Sequence, residues 1–258
     1  MRTVIIIPVR MGSSRFPGKP LAPIGGRSMV EHVYRRCAMV DEVDGVYVAT
    51  CDREIEEAAH SFGAPVIMTS PEHERASERV AEAARHVDAD VVVMVQGDEP
   101  MLHPRMVSAA MAPFHRDAAP VCVNLTARIT TQEEFEDRNT IKVVIGPTGD
   151  ACYFSRAPIP TPTVLGFDAI PKYKQVCVIP FTAEGLAKFA ALPPTPLEQA
   201  ESIDMLRFLE HGVPVRMVET TVATRAVDTP EDLVLVESLM AEDPLLGRYQ
   251  AASGRGGQ

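Results

Sequence analysis

The stretch IIIPVRMGSSRFPGKPL, Ile5 to Leu21, joins an apolar run to a loop rich in glycine, proline and cations. The apolar run predicts a buried strand, because short β-branched runs are typical of strands covered on both faces. The loop that follows contains three cations and two glycines, Arg10, Arg15, Lys19, Gly12 and Gly18. Cations and loop N–H groups suit phosphate oxygens, so the stretch predicts an anion site directly after a strand.

This loop does not match the familiar phosphate-binding patterns. Its glycine spacing is close to that of a P-loop, but Pro20 occupies the position where a magnesium-binding hydroxyl is required. The G-x-G-x-x-G pattern of dinucleotide-binding turns is absent as well. The loop by itself therefore leaves two readings open, an anion site and a solvated basic loop.

Two further apolar runs extend the pattern along the chain. GVYVAT (45–50) and VVVMVQ (91–96) each precede a turn and a helix-like stretch, as the first run does. This alternation predicts an α/β fold with a central, mostly parallel sheet. Ligands of such sheets bind beyond the carboxyl ends of the strands. We therefore expect VRMGSSRFPGKP, TCDRE (50–54) and QGDEP (96–100) to meet at one edge.

Composition narrows the class of protein. The chain has 258 residues, 46% of them apolar, which is enough for one large domain, expected over residues 1–245. A formal charge of -10 argues against a broad nucleic-acid surface. The apolar runs are far shorter than a membrane span or a signal-peptide core, so we expect a cytoplasmic protein that contacts no membrane. Five widely spaced cysteines indicate neither a disulfide framework nor a zinc site.

The second half of the chain predicts further elements. YKQVCVIPF (173–181) predicts one strand, and PLEQAESIDMLRFLEHG predicts one long helix closed by Gly212. DTPEDLVLVESLMAE predicts a helix capped by Asp228 or Thr229. Earlier in the chain, Ser28 and Ser77 are candidate caps of two helices, and residues 246–258 read as a disordered tail.

Asp98, in QGDEP, argues for a metal ion beside the loop. A carboxylate about 4 Å from a phosphate is repelled by roughly 4 kcal/mol per charge pair at an effective dielectric constant near 20. A divalent cation between the two groups reverses the sign, and Mg²⁺ is satisfied by one or two carboxylates together with phosphate oxygens. The alternative is a turn residue after Gly97 with no ligand role.

Several motifs in register resemble one family. PVRMGSSRFPGKPL, VQGDEPM, NTIKVV, YFSRAPIP, PLEQAE and VDTPEDL occur in this order and spacing in the 3-deoxy-manno-octulosonate (Kdo) cytidylyltransferases, and the resemblance runs from about residue 3 to 240. It implies a Rossmann-like nucleotidyltransferase fold of the nucleotide-diphospho-sugar transferase type. It also implies a homodimer with a dimer-forming insertion at roughly residues 119–182. The implied reaction is magnesium-dependent transfer of CMP from CTP to a small anionic acceptor, with release of pyrophosphate.

The resemblance assigns roles to particular positions. Arg10, Lys19 and Arg156 are the implied catalytic residues. The implied nucleotide-binding residues are Arg10, Gly12, Ser13, Arg15, Lys19, Arg79 and Gln96. The implied acceptor-binding residues are Lys142, Arg156, Gln175 and Glu201. Asp98 and Asp228 are the implied magnesium ligands.

The acceptor stays open at this stage. Where Kdo enzymes have a strand like R-H-L-G-I-Y-G-Y, this chain has KQVCVIPF, so Gln175 replaces a histidine and Ile179 a tyrosine. Exchanging polar contacts in this way can change substrate discrimination by large factors. We therefore consider two acceptors, Kdo or a related sugar acid, and a non-sugar anion such as a phosphonate. A third hypothesis is a nucleotide-binding regulator without catalytic activity. A nicotinamide-dependent oxidoreductase is excluded because the chain lacks the G-x-G-x-x-G pattern of dinucleotide-binding turns.

Overall fold

A computed structural model describes residues 1–12, 16–116 and 118–250. The strands are β1 (Thr3–Pro8), β2 (Pro23–Ile24), β3 (Arg27–Ser28), β4 (Gly45–Thr50), β5 (Val66–Met68), β6 (Val91–Val95), β7 (Val123–Arg128), β8 (Lys142–Ile145), β9 (Ala151–Ser155), β10 (Tyr173–Val176), β11 (Val178–Thr182) and β12 (Arg216–Glu219). The α-helices are α1 (Met29–Cys37), α2 (Arg53–Ser61), α3 (Ala76–Ala84), α4 (Pro104–Met111), α5 (Gln132–Glu136), α6 (Ala183–Ala191), α7 (Pro196–Glu201), α8 (Met205–Glu210), α9 (Pro230–Ala241) and α10 (Pro244–Gln250).

The central sheet confirms the predicted α/β class. Its order is β11-β6-β1-β4-β5, in which β6, β1, β4 and β5 are parallel and β11 is antiparallel. Alternate residues of β1 face opposite sides, so Ile5 and Ile7 enter one apolar cluster while Val4 and Ile6 enter another. Both faces of the sheet are therefore covered, as its continuous apolar runs predict.

A second sheet lies mostly within the segment predicted as an insertion. Its order is β12-β7-β10-β8-β9, with antiparallel pairing except between β7 and β12. The stretch KQVCVIPF is divided between the two sheets, because Val176 pairs with Leu125 and Val178 pairs with Val95. The prediction of one strand is therefore wrong: Cys177 marks the point where the chain leaves one sheet for the other.

The predicted long helix over residues 196–211 is also wrong, because α7 and α8 are separate. Ser202 between them adopts a left-handed conformation with φ 55°. A continuing helix would use the carbonyls of Glu201 and Ser202 internally. These two carbonyls instead accept hydrogen bonds from the Arg156 guanidinium, at 2.8 and 3.3 Å. Tertiary contacts thus replace the helical hydrogen bonds at this point.

Helix ends show which cap predictions succeed. The side chains of Ser28 and Thr229 accept backbone N–H groups at the starts of α1 and α9, which confirms both as caps. Ser77 lies inside α3, whose N-cap is Arg75. The Ser77 hydroxyl donates to Asp204 at 2.7 Å and does not cap the helix. That prediction is wrong.

The C-terminal segment is more ordered than the sequence indicates. Residues 244–250 form α10, which occupies the beginning of the predicted tail, whereas residues 251–258 lie outside the described residues. Leu245 and Tyr249, one turn apart, are 7% and 5% exposed. The Tyr249 hydroxyl lies 2.7 Å from Nδ1 of the buried His32. Within the described part of the chain, no helix combines the length and apolar character that a membrane crossing requires.

Gly97 sets how closely β6 approaches the loop after β1. A Cβ atom at this position would lie 2.1 Å from Cγ1 of the buried Val9. We therefore expect Gly97→Ala to lower the free energy of unfolding by about 1–3 kcal/mol, the usual cost of overpacking. Urea denaturation of the wild type and of Gly97→Ala measures this difference in the free energy of unfolding. Gly247→Ala is the control, because a Cβ there meets nothing within 4 Å; equal effects of both substitutions would contradict the steric argument.

Candidate active site

The three predicted segments meet at the carboxyl edge of the central sheet. The segment after β4 contacts the one after β1, because Asp52 accepts a hydrogen bond from the Met11 N–H at 2.7 Å. The segment after β6 joins them through Lys19, whose Nζ lies 2.8 Å from Oδ2 of Asp98. The convergence expected from parallel-sheet topology is therefore present.

Lys19 lies at the centre of this edge. It begins a 3-10 turn, Lys19–Leu21, that follows Gly18, whose positive φ of 73° suits a glycine. Its ammonium group donates to the Val227 carbonyl at 2.9 Å and lies 3.7 Å from Oδ1 of Asp228. The Lys19 side chain is 14% exposed, so the ammonium group remains accessible from the cavities around it.

Asp228 reaches this point from the far end of the chain. The Val227 N–H donates to the Asp98 carbonyl at 2.9 Å, which joins the segment before α9 to the end of β6. Thr229 then caps α9, and Asp232 accepts the backbone N–H groups of Asp228 and Thr229 at 3.2 and 3.1 Å. These contacts hold the Asp228 backbone beside Asp98.

The two predicted metal ligands are compatible with a divalent cation. Asp98 and Asp228 both contact the same Lys19 ammonium group, so their carboxylates converge on a single cation position. Among the described residues, no group of three or more His, Cys, Asp or Glu side chains forms a metal cluster. Two hard oxygen ligands are the set that Mg²⁺ uses when phosphates and water complete its shell. The donor set therefore fits Mg²⁺ bound together with a phosphorylated substrate.

Two cavities open on either side of Lys19. The one beside the glycine-containing loop, the loop cavity, has a volume of about 360 Å³. The one beside the second sheet, the insertion cavity, has a volume of about 550 Å³. Five residues line both cavities, namely Lys19, Gln96, Asp98, Ser202 and Asp204. The candidate lysine and one candidate metal ligand thus lie on a shared wall, where two bound molecules would meet.

The loop cavity contains most of the predicted nucleotide-binding residues. Arg10, Gly12, Lys19, Arg79 and Gln96 all line it. Arg79 is only 3% exposed, and its guanidinium contacts the Thr69 hydroxyl and the Ser70 and His73 carbonyls. It therefore shapes the cavity wall at residues 69–73. Ser13 and Arg15 lie outside the described residues, so their nucleotide contacts stay predictions.

Arg156 is the predicted acceptor-binding residue that the structure places most clearly. It lines the insertion cavity. Its Nη1 donates to the Arg138 carbonyl at 3.1 Å, in addition to the bonds to residues 201 and 202 described above. Glu201 does not line this cavity. Its carboxylate accepts from the Arg156 N–H at 2.9 Å and the Ser155 hydroxyl at 2.7 Å. Burial opposes ionisation of Glu201, but these hydrogen bonds outweigh it and lower its pKa.

Lys142, predicted to bind the acceptor, is fully buried and does not line either cavity. Its ammonium group donates to the carbonyls of Asp137, Thr140 and Arg156 at 2.7, 2.6 and 2.7 Å. Three backbone partners account for the three N–H donors of an ammonium group. Burial lowers its pKa to about 8. The geometry therefore favours a positioning role for Lys142, which fixes the carbonyl of Arg156, over the direct contact we predicted.

Gln175, a predicted acceptor-binding residue, lines the insertion cavity. Its Nε2 donates to Oδ1 of Asn124 at 2.5 Å, and Asn124 in turn donates to the carbonyls of Leu125 and Val176. Of the other divergent positions in KQVCVIPF, Cys177 and Ile179 also line the cavity. Pro180 and Phe181 are buried and line neither cavity. The sequence divergence thus reaches the insertion cavity at Gln175, Cys177 and Ile179.

Sequence reasoning missed Glu99, which lines the insertion cavity and is 4% exposed. Burial, and then the charge of Asp98, raise its pKa to about 7 although the Thr224 hydroxyl donates to it at 3.0 Å. Its place directly after Asp98 was the available signal. A short polar motif does not show which of its side chains is buried.

Glu99 predicts a pH dependence of stability. Its pKa in the folded state is about 7, compared with an ordinary value of 4.5, so the folded state retains this proton over that interval and the unfolded state does not. The free energy of unfolding should therefore fall as pH rises from 4.5 to 7, by up to about 3 kcal/mol. Glu99→Gln, a mimic of the protonated acid, should lose this fall.

Urea denaturation with EDTA at several pH values measures the difference between wild type and Glu99→Gln. The matched control is Glu133→Gln, an exposed glutamate of the same cavity. A wild-type curve parallel to that of Glu99→Gln would contradict the raised pKa.

The arrangement has counterparts among known proteins. A family model described as Cytidylyltransferase matches residues 4–220. A 3-deoxy-manno-octulosonate cytidylyltransferase of Syntrophotalea carbinolica is 41% identical over 245 residues, which cover 92% of this chain and 98% of that protein. The enzyme of the same name from Nitratidesulfovibrio vulgaris (strain DP4) is 44% identical over 246 residues, 92% of this chain and 96% of that protein.

Solved structures agree with these matches. The structure of a CMP:2-keto-3-deoxy-manno-octonic acid synthetase complexed with CTP has a TM-score of 0.86 and 40% identity, covering 94% of this chain and 99% of that one. A 4-diphosphocytidyl-2C-methyl-D-erythritol synthase from Anaerococcus prevotii has a TM-score of 0.62 at 13% identity, covering 93% and 96%, and shows the fold alone. From the family match and the full-length identity, this chain belongs to the cytidylyltransferase family and is a nucleotidyltransferase enzyme.

Proposed function

We propose that this enzyme transfers CMP from CTP to Kdo, with release of pyrophosphate and with a requirement for Mg²⁺. The observation that carries the proposal is the position of Lys19, between two carboxylates and on the wall shared by two cavities. Full-length similarity to proteins named 3-deoxy-manno-octulosonate cytidylyltransferase supports the choice of both substrates.

On the nucleotide side, the loop cavity is the proposed site for CTP. Arg10 and Lys19 supply charge for the phosphates, and Gly12 allows a close approach of the backbone. Gln96 lies on the same wall, where its amide group can contact the rest of the nucleotide, and Arg79 shapes that wall. A related CMP:2-keto-3-deoxy-manno-octonic acid synthetase was solved with CTP, which supports this choice of nucleotide.

At the shared wall, Asp98 and Asp228 are the proposed ligands of Mg²⁺. When bound, the metal would neutralise charge on the phosphates and on the departing pyrophosphate. Lys19 contacts both carboxylates, so it lies within reach of phosphate groups bound at the same position. Its ammonium group then stabilises charge that develops on the phosphate oxygens.

On the acceptor side, Arg156 is the proposed partner of the acceptor carboxylate. Backbone carbonyls orient its guanidinium in the insertion cavity. The Arg156 backbone is held by Lys142, which donates to its carbonyl, and by Glu201, which accepts from its N–H. Gln175 lies on the same wall and offers its amide group to acceptor hydroxyls. Such positioning groups convert a two-molecule encounter into an oriented attack.

The proposed reaction is a direct displacement at the α-phosphorus of CTP. An acceptor hydroxyl oxygen forms the new bond to phosphorus, and the bond to the oxygen that bridges the α- and β-phosphates breaks. Pyrophosphate leaves with that electron pair, and the hydroxyl proton passes to solvent. Positioning and charge stabilisation account for such a transfer without a covalent enzyme intermediate.

A second acceptor class is kept because of one specific observation. Gln175, Cys177 and Ile179, where the sequence departs from Kdo enzymes, line the insertion cavity. A non-sugar anion, such as a phosphonate, would use the same CMP transfer and the same shared wall. The choice between the two classes rests on these side chains.

The resemblance also predicts a homodimer formed through residues 119–182. Val164 and Leu165 in this segment are 86% and 67% exposed, as expected of apolar side chains that a partner covers. Light scattering of the purified protein measures its mass in solution, and a monomer mass would overturn this proposal. The expected cytoplasmic location likewise stays a prediction.

The function is tested by pyrophosphate release from CTP and Mg²⁺ with a panel of acceptors. The panel contains Kdo, its amino analogue, other 2-keto sugar acids and small phosphonates. We expect the highest kcat/KM with Kdo. A higher value with a phosphonate would favour the alternative acceptor, and no release with any member would favour a nucleotide-binding regulator.

Two aspartate variants control this assay. Asp98→Asn should lower turnover about 100-fold or more because one charged ligand is lost, while the circular dichroism spectrum remains that of the folded protein. Asp41→Asn, at an exposed position, should retain activity. Near-normal activity of Asp98→Asn would remove Asp98 from the metal site.

A further inference from the structure

The connection between α7 and α8 forms a boundary between the two cavities. Ser202 and Asp204 line both of them. Ser202 is also the non-glycine residue with positive φ among the described residues, a conformation that surrounding contacts must maintain. The position of this short connection therefore affects both substrate sites.

From the insertion cavity, Arg156 contacts the backbone of this connection. Its Nε donates to the Glu201 carbonyl at 2.8 Å and its Nη2 to the Ser202 carbonyl at 3.3 Å. The orientation of the Arg156 guanidinium therefore depends on where residues 201 and 202 lie.

From the loop cavity, Arg75 contacts the same connection. Its side chain is 22% exposed and lines that cavity. Its Nη1 donates to the Ser202 hydroxyl at 2.7 Å, whereas the nearest oxygens of Glu198 and Asp204 are both 3.9 Å away. Of these three contacts of the Arg75 guanidinium, the hydrogen bond to Ser202 is therefore the shortest.

The neighbouring carboxylates have other short partners. Glu198 accepts two hydrogen bonds from Arg207, at 2.8 and 2.7 Å. Asp204 accepts from the Ser77 hydroxyl at 2.7 Å. Because both carboxylates are held elsewhere, the Arg75 guanidinium is oriented mainly by the Ser202 hydroxyl, and it fixes that residue in return.

We propose that Arg75 is a positioning residue that acts across the boundary between the cavities. It lies on the wall assigned to the nucleotide and, through Ser202, holds the backbone that orients Arg156 toward the acceptor. This inference rests on the proposed function for the identity of the two ligands. It assigns to Arg75 an effect on acceptor binding, although Arg75 lines the nucleotide side.

The proposal implies energetic coupling between the substrates. A ligand in the loop cavity that changes the contacts of Arg75 also changes the restraint on Ser202, and with it the orientation of Arg156. Coupling of this kind is reciprocal, so the acceptor changes nucleotide affinity by the same factor.

Steady-state kinetics of Arg75→Ala, Ser202→Ala and the double variant test the proposal. In each single variant we expect the KM of the acceptor to rise about tenfold, because a hydrogen bond to a charged group is lost. In Ser202→Ala the KM of CTP, measured at an acceptor concentration well below the KM of the acceptor, should stay within about twofold of wild type. The double variant should be no worse than the worse single variant, since both remove the same bond. Arg75→Lys should recover part of the loss.

The controls remove the same side chains elsewhere. Arg53→Ala removes an arginine that is 87% exposed, and Ser238→Ala an exposed serine on α9. Both should leave the KM values unchanged. Unchanged acceptor KM in Arg75→Ala and Ser202→Ala, or multiplied effects in the double variant, would overturn the proposal.

Hydrogen exchange provides a readout that does not depend on the acceptor. If Arg75 holds the connection, amides in peptides covering residues 198–206 and 153–157 should exchange faster in Arg75→Ala than in Arg53→Ala. Equal exchange in the two variants would overturn the positioning role. Failure of the proposed function would look different, because the wild-type enzyme would then not turn over Kdo. In that case the kinetics use the member of the acceptor panel that is turned over. If no member is turned over, hydrogen exchange alone tests the positioning role of Arg75.

Discussion

The Lys19 ammonium group holds three distant parts of the chain at one point. It contacts Asp98 after β6, Asp228 before α9 and the Val227 carbonyl, while Lys19 itself belongs to the loop after β1. Two carboxylates that converge on one point repel each other, and a cation between them offsets this repulsion. Lys19 supplies that positive charge here. Val227 also packs with Ile24, Val236 and Met240 in a small apolar core, so apolar packing beside this ionic contact helps to dock α9.

Backbone carbonyls orient the cations at and beside the insertion cavity. Lys142 donates to three carbonyls and Arg156 to three others. A carbonyl dipole fixes the direction of an N–H group, so these bonds set where the Arg156 guanidinium lies in the insertion cavity. Two of these bonds, from Arg156 to the carbonyls of Glu201 and Ser202, lie where α7 ends at Glu201, so the same contacts shape the fold and the cavity.

Local patterns predicted part of this architecture correctly. The runs that form β1, β4 and β6, and the caps at Ser28 and Thr229, depend on neighbours in sequence, so periodicity and residue type were sufficient. The break between α7 and α8 was not predictable in this way, because it depends on Arg156, about 45 residues away. The division of KQVCVIPF was likewise hidden, since each half pairs with a strand from a different sheet.

The sequence by itself determined the α/β class, the family, and the meeting of the basic loop with Asp98 at the edge of the sheet, because strand direction places these segments together whatever the details of packing. Only the tertiary structure decided which polar side chains face a cavity and which are consumed internally. The polar groups of Lys142 and Glu201 form hydrogen bonds with the backbone and with neighbouring side chains. Glu99 and Arg75, in contrast, line the cavities. The physical reason is that a side chain can bind a ligand only with donors or acceptors that the rest of the fold has left available.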